Sequence, residues 1–325
     1  MSPQPITMWH HSPFTTSLAL AIVAALAFAG SPVLGHGDEP GVSNVQPASS
    51  SDPAIAEEGL SMLPVLASSE LAAGPNRFLF SLADLDGALV ASPEVSVGLD
   101  FYDVERETEM PTLATNARFL WTLEDVRGLY VADVEFPYGG RWGTRFEATF
   151  PDSTTRSVRI EYDVLDQSWT PAIGALAPIV DTPTAADAGG DLSRISTDTD
   201  PQPRFYEVSV ADALGAGQPF VLVFATPAFC QSAGCGPLLE QVKTVAADNP
   251  ELTFINVEPY VMDFRDGALQ PSLDELGRLE AAPWTDAWRL LTEPYVVVVD
   301  DQGIVRAKFE GALSLVELSG AIAGL

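Results

Sequence analysis

The segment FVLVFATPAFCQSAGCGPLLEQV, residues 220–242, contains both cysteines of this 325-residue chain. An apolar run leads toward Cys230, and a Gly-Pro step follows Cys235 directly. Continuous apolar runs are typical of buried strands, and proline is favoured in the first turn of a helix. The segment therefore predicts a strand, a loop that carries Cys230, and a helix that begins around Cys235 to Pro237.

The Cys-x4-Cys spacing limits how the two sulfurs can meet. On a continuous α-helix, residues five apart are separated axially by about 7.5 Å and point about 140° apart. A disulfide tolerates a Cα separation of only about 4.4–6.8 Å. A bond between Cys230 and Cys235 thus requires Cys230 to lie outside the helix. Free amides at the helix start, together with the helix dipole, would then favour a thiolate.

Strands and helices alternate from residue 204 onward, which predicts an α/β domain at 204–325. Two of the predicted helices open with the Ser-x-x-Glu spacing of a capping box, at Ser272 and at Ser314. The predicted elements are a strand at 219–225, a helix at 236–249, a strand at 252–259, helices at 271–281 and 284–291, a hairpin at 295–311 and a closing helix at 314–325.

Short runs with alternating apolar residues recur before this domain, separated by turn signals such as PYGG and PDST. This pattern, without a convincing helix, predicts an antiparallel β-sandwich of immunoglobulin-like kind over residues 74–166. Its aromatic residues are predicted to form the core; they include Phe78, Phe80, Trp121 and Trp142. The runs are residues 77–83, 94–104, 117–123, 129–136, 142–150 and 157–165.

The net charge of −29 restricts the partners of the protein. The only lysines are Lys243 and Lys308, and no Lys or Arg precedes Arg77. A surface this acidic repels phosphate backbones, so nucleic-acid binding is not expected.

The remaining segments predict export and flexible connections. An apolar run at 17–30 has the length of a signal-peptide core, so residues 1–35 are predicted to be a signal peptide or an N-terminal membrane anchor. Two segments are rich in Pro, Ala and acidic residues. The first, residues 36–73, is predicted to be a disordered linker, and the second, residues 167–203, is predicted to be a linker between the two domains. The expected location is extracytoplasmic, where a cysteine pair can be oxidised at rest.

The C-terminal domain resembles the thioredoxin superfamily, particularly its exported TlpA-like members. The matching pieces are the strand into ATPAFC, the helix after it, the Glu293-Pro294 step before a strand, and DDQGIVRAKFEGA near the end. The resemblance places Cys230 at the nucleophile position, with Phe229 in place of the usual preceding Trp. It places Pro294 at the cis-proline position. The family motif is Cys-x-x-Cys, so the longer spacing here is a departure.

The resemblance implies thiol–disulfide exchange on extracytoplasmic proteins, without a cofactor and with an unidentified redox partner. Cys230 would attack a partner disulfide, and Cys235 would resolve the mixed disulfide. The active-site support would come from Phe229, Gly236, Pro237, Glu293 and Pro294. The direction of exchange, reductive or oxidative, is not readable from the sequence.

Several alternatives remain open. In a second register, CGPL at 235–238 mimics the family motif with Leu238 in place of the resolving thiol. The pair could instead be a structural disulfide in a non-catalytic binding protein. Peroxiredoxin-like activity would require Thr226 to lie one residue closer to Cys230. Copper-chaperone activity would require a histidine in this domain, and the histidines are His10, His11 and His36. No metal site is therefore expected.

The first domain carries a motif of its own. PYGGRWG, residues 137–143, resembles the Gly-x-Trp turn of small exported β domains of the FixH and YtkA type. The resemblance implies that this domain presents the C-terminal domain or holds a partner.

Overall fold

The computed structural model describes residues 62–107 and 109–325. The predicted signal peptide or anchor at 1–35 and most of the predicted linker at 36–73 lie outside these ranges. Within them, no helix combines the length and the apolar character that a membrane crossing requires.

Most neighbouring strands in the described residues pair in antiparallel orientation, and the helices are few and mostly short. The strands are β1 Leu63–Leu66, β2 Gly74–Ala83, β3 Ser96–Asp103, β4 Leu113–Leu123, β5 Arg127–Phe136, β6 Gly140–Thr149, β7 Thr155–Val164, β8 Phe220–Phe224, β9 Thr253–Val257, β10 Met262–Arg265, β11 Ala268–Pro271, β12 Tyr295–Val299 and β13 Val305–Glu310. The α-helices are α1 Val210–Gly215, α2 Cys235–Asp248, α3 Pro283–Trp288 and α4 Leu315–Ile322, and two short 3-10 helices cover Leu192–Arg194 and Pro203–Tyr206.

The N-terminal lobe, residues 62–165, is one antiparallel sheet in the order β1-β2-β5-β4-β3-β6-β7. β4 pairs with β3 through its first half and with β5 through its second half, so the sheet changes partner within one strand. Phe80 of β2 and Phe146 of β6 are far apart in this order, yet their ring centroids are 4.9 Å apart. The two halves of the sheet therefore face each other across one aromatic core.

The aromatic residues of this lobe mostly occupy the predicted core positions. Phe78, Phe80 and Trp142 are fully buried, which confirms the prediction for them. Trp121 is only half-buried and packs edge-on against Phe119. All six alternating runs form strands, because period-2 alternation gives a sheet one apolar face.

The structure differs from the sequence-based interpretation in the segment just before residue 74. Leu63–Leu66 forms β1, which pairs antiparallel with the end of β2. Met62, Leu71 and Ala72 are buried, so the last part of the segment predicted to be a disordered linker belongs to the lobe. A strand of four residues that contains a proline is too short for an alternating pattern to reveal it.

The C-terminal lobe, residues 166–325, contains a four-stranded sheet in the order β13-β12-β8-β9. β8 and β9 are parallel, and the other two pairs are antiparallel. Every residue of β8 is buried, because Val221 and Val223 face a cluster that includes α2 whereas Phe220, Leu222 and Phe224 face a cluster that includes Trp288. A strand buried on both faces explains the unbroken apolar run in the sequence.

One helix prediction in this lobe is wrong. Residues 271–281 form the end of β11 and a turn, not a helix. The Asp274 side chain accepts hydrogen bonds from the backbone amides of Leu276 and Arg278, 2.9 Å each, and Gly277 has a φ of +76°. A left-handed glycine and an Asp-capped turn outweigh the capping-box spacing of Ser272 and Glu275.

The segment 167–203, interpreted as a linker from its composition, lies against the C-terminal lobe. Ala177 is buried and its amide donates to the Gly303 carbonyl (2.8 Å). The buried Thr182 hydroxyl accepts from the amide of Val210, the first residue of α1 (3.0 Å). The segment thus contributes to packing in this lobe although its sequence has no regular periodicity.

Charged side chains connect the two lobes. Arg77 of β2 pairs with Glu317 of α4 (2.8 Å) and also donates to the Ala312 carbonyl (3.0 Å). The side chains of Arg77 and Glu317 are each 13% exposed. Burial alone would raise the pKa of Glu317, but the charge of Arg77 and the hydrogen bond from Arg118 outweigh it and lower that pKa. The lobes are therefore held together by partly desolvated ion pairs.

The capping box of α4 gives a stability prediction. The Ser314 hydroxyl accepts from the Glu317 amide (3.2 Å), and the Ser314 amide donates to the Glu317 carboxylate (2.9 Å). Ser314→Ala is expected to lower the free energy of unfolding by about 1 kcal/mol, because a helix amide loses its acceptor. Urea denaturation would measure this loss. Ser319→Ala on the exposed face of α4 is the control and should change the free energy of unfolding by less than about half as much.

Candidate functional site

Cys230 and Cys235 form a disulfide bond, and their Cα atoms are 5.9 Å apart. α2 begins at Cys235, with Gly234 as the residue before its first turn. Cys230 lies in the loop between β8 and α2. This confirms the prediction that a Cys-x4-Cys pair can close only if the first cysteine lies outside the helix.

The two sulfurs differ in their surroundings. Cys235 is fully buried, whereas Cys230 is only half-buried. The Cys235 amide donates to the Cys230 sulfur (3.2 Å), and the Ser232 hydroxyl lies 3.4 Å from the same sulfur. An amide at a helix start favours negative charge on the atom that it faces. The arrangement therefore favours a thiolate on Cys230 once the bond is reduced.

The loop before β12 forms the other side of the site. The Glu293–Pro294 peptide bond is cis, as the family resemblance implies, and Pro294 is buried. A Cβ added to Gly234 would lie 3.6 Å from Pro294, so the disulfide loop and this loop are in close contact. The Glu293 carboxylate accepts from the Gln231 amide (3.0 Å) and from the Tyr260 hydroxyl (2.6 Å).

The Glu293 carboxylate is close to both sulfurs. One of its oxygens and the two sulfur atoms all lie within 4.8 Å of one another. Two thiolates and a carboxylate could bind a metal ion, but sulfurs that are bonded to each other offer no thiolate. In the oxidised state these three groups are therefore neighbours but not a set of metal ligands.

The other predicted site residues lie near the disulfide along the chain. Phe229 is half-buried, and its amide donates to the Thr226 carbonyl (3.1 Å). Gly236 and Pro237 are half-buried in the first turn of α2. The structure brings together Cys230, Cys235, Glu293 and Pro294.

Sequence reasoning missed Gln231, Ser232 and Tyr260. β8 and β9 are parallel neighbours, so the residues that follow them meet at one edge of the sheet. Tyr260 follows β9 just as the disulfide loop follows β8, and this relation could have located it. Burial raises the pKa of Tyr260, and its hydrogen bond to Glu293 raises it further. Its hydroxyl therefore stays protonated at neutral pH and donates to Glu293.

A cleft of about 1180 Å³ adjoins the disulfide loop. The C-terminal lobe contributes Gln231, Ser232 and Glu293 to its wall. The N-terminal lobe contributes Val65 and Leu129. The disulfide loop thus faces a space that neither lobe would form alone.

The sequence matches no model of a protein family, and no curated protein matches it. The class of site is therefore defined by its geometry. It is a disulfide at the start of a helix, with one half-exposed sulfur and a carboxylate beside it.

The charge of Glu293 gives a prediction about thiol reactivity. In the reduced protein, Glu293→Gln should increase the rate of Cys230 alkylation by iodoacetamide at pH 7 several-fold. A negative charge within about 5 Å disfavours a thiolate. The glutamine oxygen can still accept from the Gln231 backbone amide, and its NH2 group can donate to the Tyr260 oxygen in place of the lost acceptor. Mass spectrometry of timed samples would give the rate.

Glu310→Gln is the matched control for this experiment. Glu310 lines the same cleft but does not belong to the group formed by the sulfurs and Glu293. An unchanged or slower alkylation in Glu293→Gln would show that the carboxylate does not act on the sulfurs through its charge.

Proposed function

We propose that this protein is an exported thiol–disulfide oxidoreductase that acts on other proteins through Cys230 and Cys235. The observation that carries the proposal is the Cys235 amide 3.2 Å from a half-exposed Cys230 sulfur, within a closed disulfide. A purely structural disulfide does not require an accessible sulfur, and it does not require a backbone amide that stabilises negative charge on that sulfur.

The arrangement of secondary structure supports a thioredoxin-like fold for the C-terminal lobe. α2 connects the parallel strands β8 and β9, and the hairpin β12-β13 adds on the other side of β8. The disulfide lies where β8 leads into α2, and a cis proline precedes β12. These are the positions at which the family resemblance places the reactive cysteine and its facing proline. The bent sheet of the N-terminal lobe, with its single aromatic core, supports an immunoglobulin-like β-sandwich there.

The proposed exchange proceeds in two steps. The Cys230 thiolate attacks one sulfur of a partner disulfide, which forms a mixed disulfide and releases a partner thiolate. The Cys235 thiolate then attacks the Cys230 sulfur, re-forms the bond seen here, and releases the second partner thiolate. Two electrons pass to the partner, and its two thiolates take protons from water. An external dithiol protein must reduce the pair before the next cycle.

Sequence features support the proposed location outside the cytoplasm. The apolar run at 17–30 has signal-peptide length and could also serve as an N-terminal anchor. Disulfides persist in oxidising compartments, which agrees with the bonded pair.

A second candidate is a non-catalytic binding protein in which the disulfide is a staple. The complete burial of Cys235 favours it, because a resolving sulfur needs access to the mixed disulfide. Cys230 would still be adjacent to Cys235 in a mixed disulfide, so this burial does not prevent the second step.

Catalysed insulin reduction tests the proposal. Insulin is mixed with dithiothreitol and with a catalytic amount of the full chain, and precipitation of the free B chain is followed by turbidity. The proposal predicts a clear acceleration over dithiothreitol alone. A rate equal to that of dithiothreitol alone would favour the staple.

A further inference from the structure

We infer that the cleft between the lobes binds an extended, positively charged segment of the partner polypeptide and guides its disulfide to Cys230. This inference rests on the proposed function and adds the substrate class. The observations that carry it are the size of the cleft, the strand at its edge and the charges of its wall.

The size and walls of the cleft fit a polypeptide segment. Its volume of about 1180 Å³ exceeds the roughly 300–1,000 Å³ that is usual for small-molecule sites. Val65 of β1 lies in its wall, and β1 is the end strand of its sheet among the described residues. An end strand presents unpaired backbone groups, to which an extended chain can add by hydrogen bonding.

The charges of the wall are strongly unbalanced. Asp274 and Arg278 form an ion pair (2.7 Å), so their charges cancel. The remaining charged side chains are four carboxylates, from Glu280, Asp286, Glu293 and Glu310, and one guanidinium, from Arg127. Within the described ranges, none of these four carboxylates forms an ion pair.

Two of these carboxylates are held in place by uncharged donors. Glu310 accepts from the Ser69 amide (3.0 Å) and the Thr292 hydroxyl (2.8 Å). Glu293 accepts from the Gln231 amide and the Tyr260 hydroxyl. Both carboxylates are therefore held in position without an ion pair in the described ranges, although the charge of Glu310 also acts on nearby Lys308. Glu293 lies beside the two sulfurs. Lysine or arginine side chains beside a partner cystine would neutralise these negative charges, and a partly enclosed cleft strengthens such pairing.

Two synthetic peptides test the inference. Each contains the same cystine loop, flanked by three lysines in one peptide and by three glutamates in the other. The full chain is reduced with dithiothreitol and desalted, so that its own dithiol is the electron donor. We expect the cationic peptide to be reduced at least about tenfold faster at 20 mM salt, with the difference shrinking at 500 mM salt as charges are screened.

The overall acidity of the protein requires a matched control. The double variant Glu280→Gln/Asp286→Asn removes two charges from the cleft wall and is expected to reduce the preference at least about threefold. Glu94→Gln/Glu251→Gln removes two exposed charges from residues that do not line the cleft, and it should keep the preference. If both double variants lost the preference for the cationic peptide to the same extent, the inference would be overturned. The preference would then come from the net charge of the protein alone.

A measurement without redox chemistry separates this inference from the proposed function. Fluorescence anisotropy would follow binding of labelled peptides in which serine replaces both cysteines. Tighter binding of the cationic peptide, lost in the cleft variant, would support the cleft even if no peptide were reduced. Equal binding of both peptides, or equal rates of their reduction, would overturn the inference while leaving the oxidoreductase proposal intact.

Discussion

The Cys230→Ser variant is expected to reduce insulin no faster than dithiothreitol alone. Cys230 carries the half-exposed sulfur, and the helix amide that favours a thiolate faces it. Serine occupies nearly the same space, but its hydroxyl is far less acidic than a thiol and does not attack disulfides. The loss should therefore be complete although the fold is retained, which the far-ultraviolet circular dichroism spectrum would verify.

The Cys235→Ser variant should behave differently. Its Cys230 can still attack a partner, but no second sulfur follows to release the partner. The variant is therefore expected to accumulate a mixed disulfide that mass spectrometry detects and that dithiothreitol dissolves. If Cys235→Ser forms no mixed disulfide while Cys230→Ser does, Cys235 is the nucleophile and the second register, CGPL, is correct.

The Glu258→Gln variant is expected to change how stability depends on pH. Glu258 follows β9, is only 4% exposed, and accepts from the Thr197 amide (2.6 Å). Burial raises its pKa to about 7 from an ordinary value of 4.5. The folded state thus holds a proton that the unfolded state releases between about pH 4.5 and 7. The stability that this proton contributes is complete below pH 4.5 and is lost as the pH rises through 7.

The expected size of this effect is about 3 kcal/mol, since one pKa unit corresponds to about 1.4 kcal/mol. Between pH 5 and pH 8, the free energy of unfolding of the wild-type protein should fall by most of this amount. That of Glu258→Gln should change little for this reason. Urea denaturation at both pH values would measure the difference. The pKa values of Glu70 and Glu317 are lowered in the folded state. These two residues change the stability only below about pH 4.5, outside the pH range of this experiment. The control is Glu251→Gln on the exposed surface; an equal pH dependence in both variants would contradict the prediction.

Local sequence patterns located much of the fold and part of the site. The apolar run of β8 and the Cys-x4-Cys spacing placed Cys230 in a loop and Cys235 at the start of α2. The alternating runs located β2 to β7, and the Ser-x-x-Glu spacing at Ser314 marked the start of α4. Each of these signals depends only on neighbours along the chain, which is why the sequence reveals it.

The wrong helix came from a local turn that outweighed a capping signal, whereas the omissions came from features that depend on distant residues. Ser272 and Glu275 have the same spacing as Ser314 and Glu317, yet Gly277 in a left-handed conformation ends any helix there. The contact of Tyr260 with Glu293 requires β8, β9 and β12 to be neighbours in one sheet. The cleft depends on how the lobes pack, and no pattern in either lobe encodes it.

The most direct test of the central claim is the reduction midpoint of the Cys230–Cys235 pair. The full chain would be equilibrated in glutathione and dithiothreitol redox buffers, and its free thiols counted after acid quenching and alkylation. A pair that exchanges with partner proteins should have a midpoint between about −120 and −270 mV. A midpoint below about −300 mV, where structural disulfides lie, would contradict the proposed oxidoreductase function.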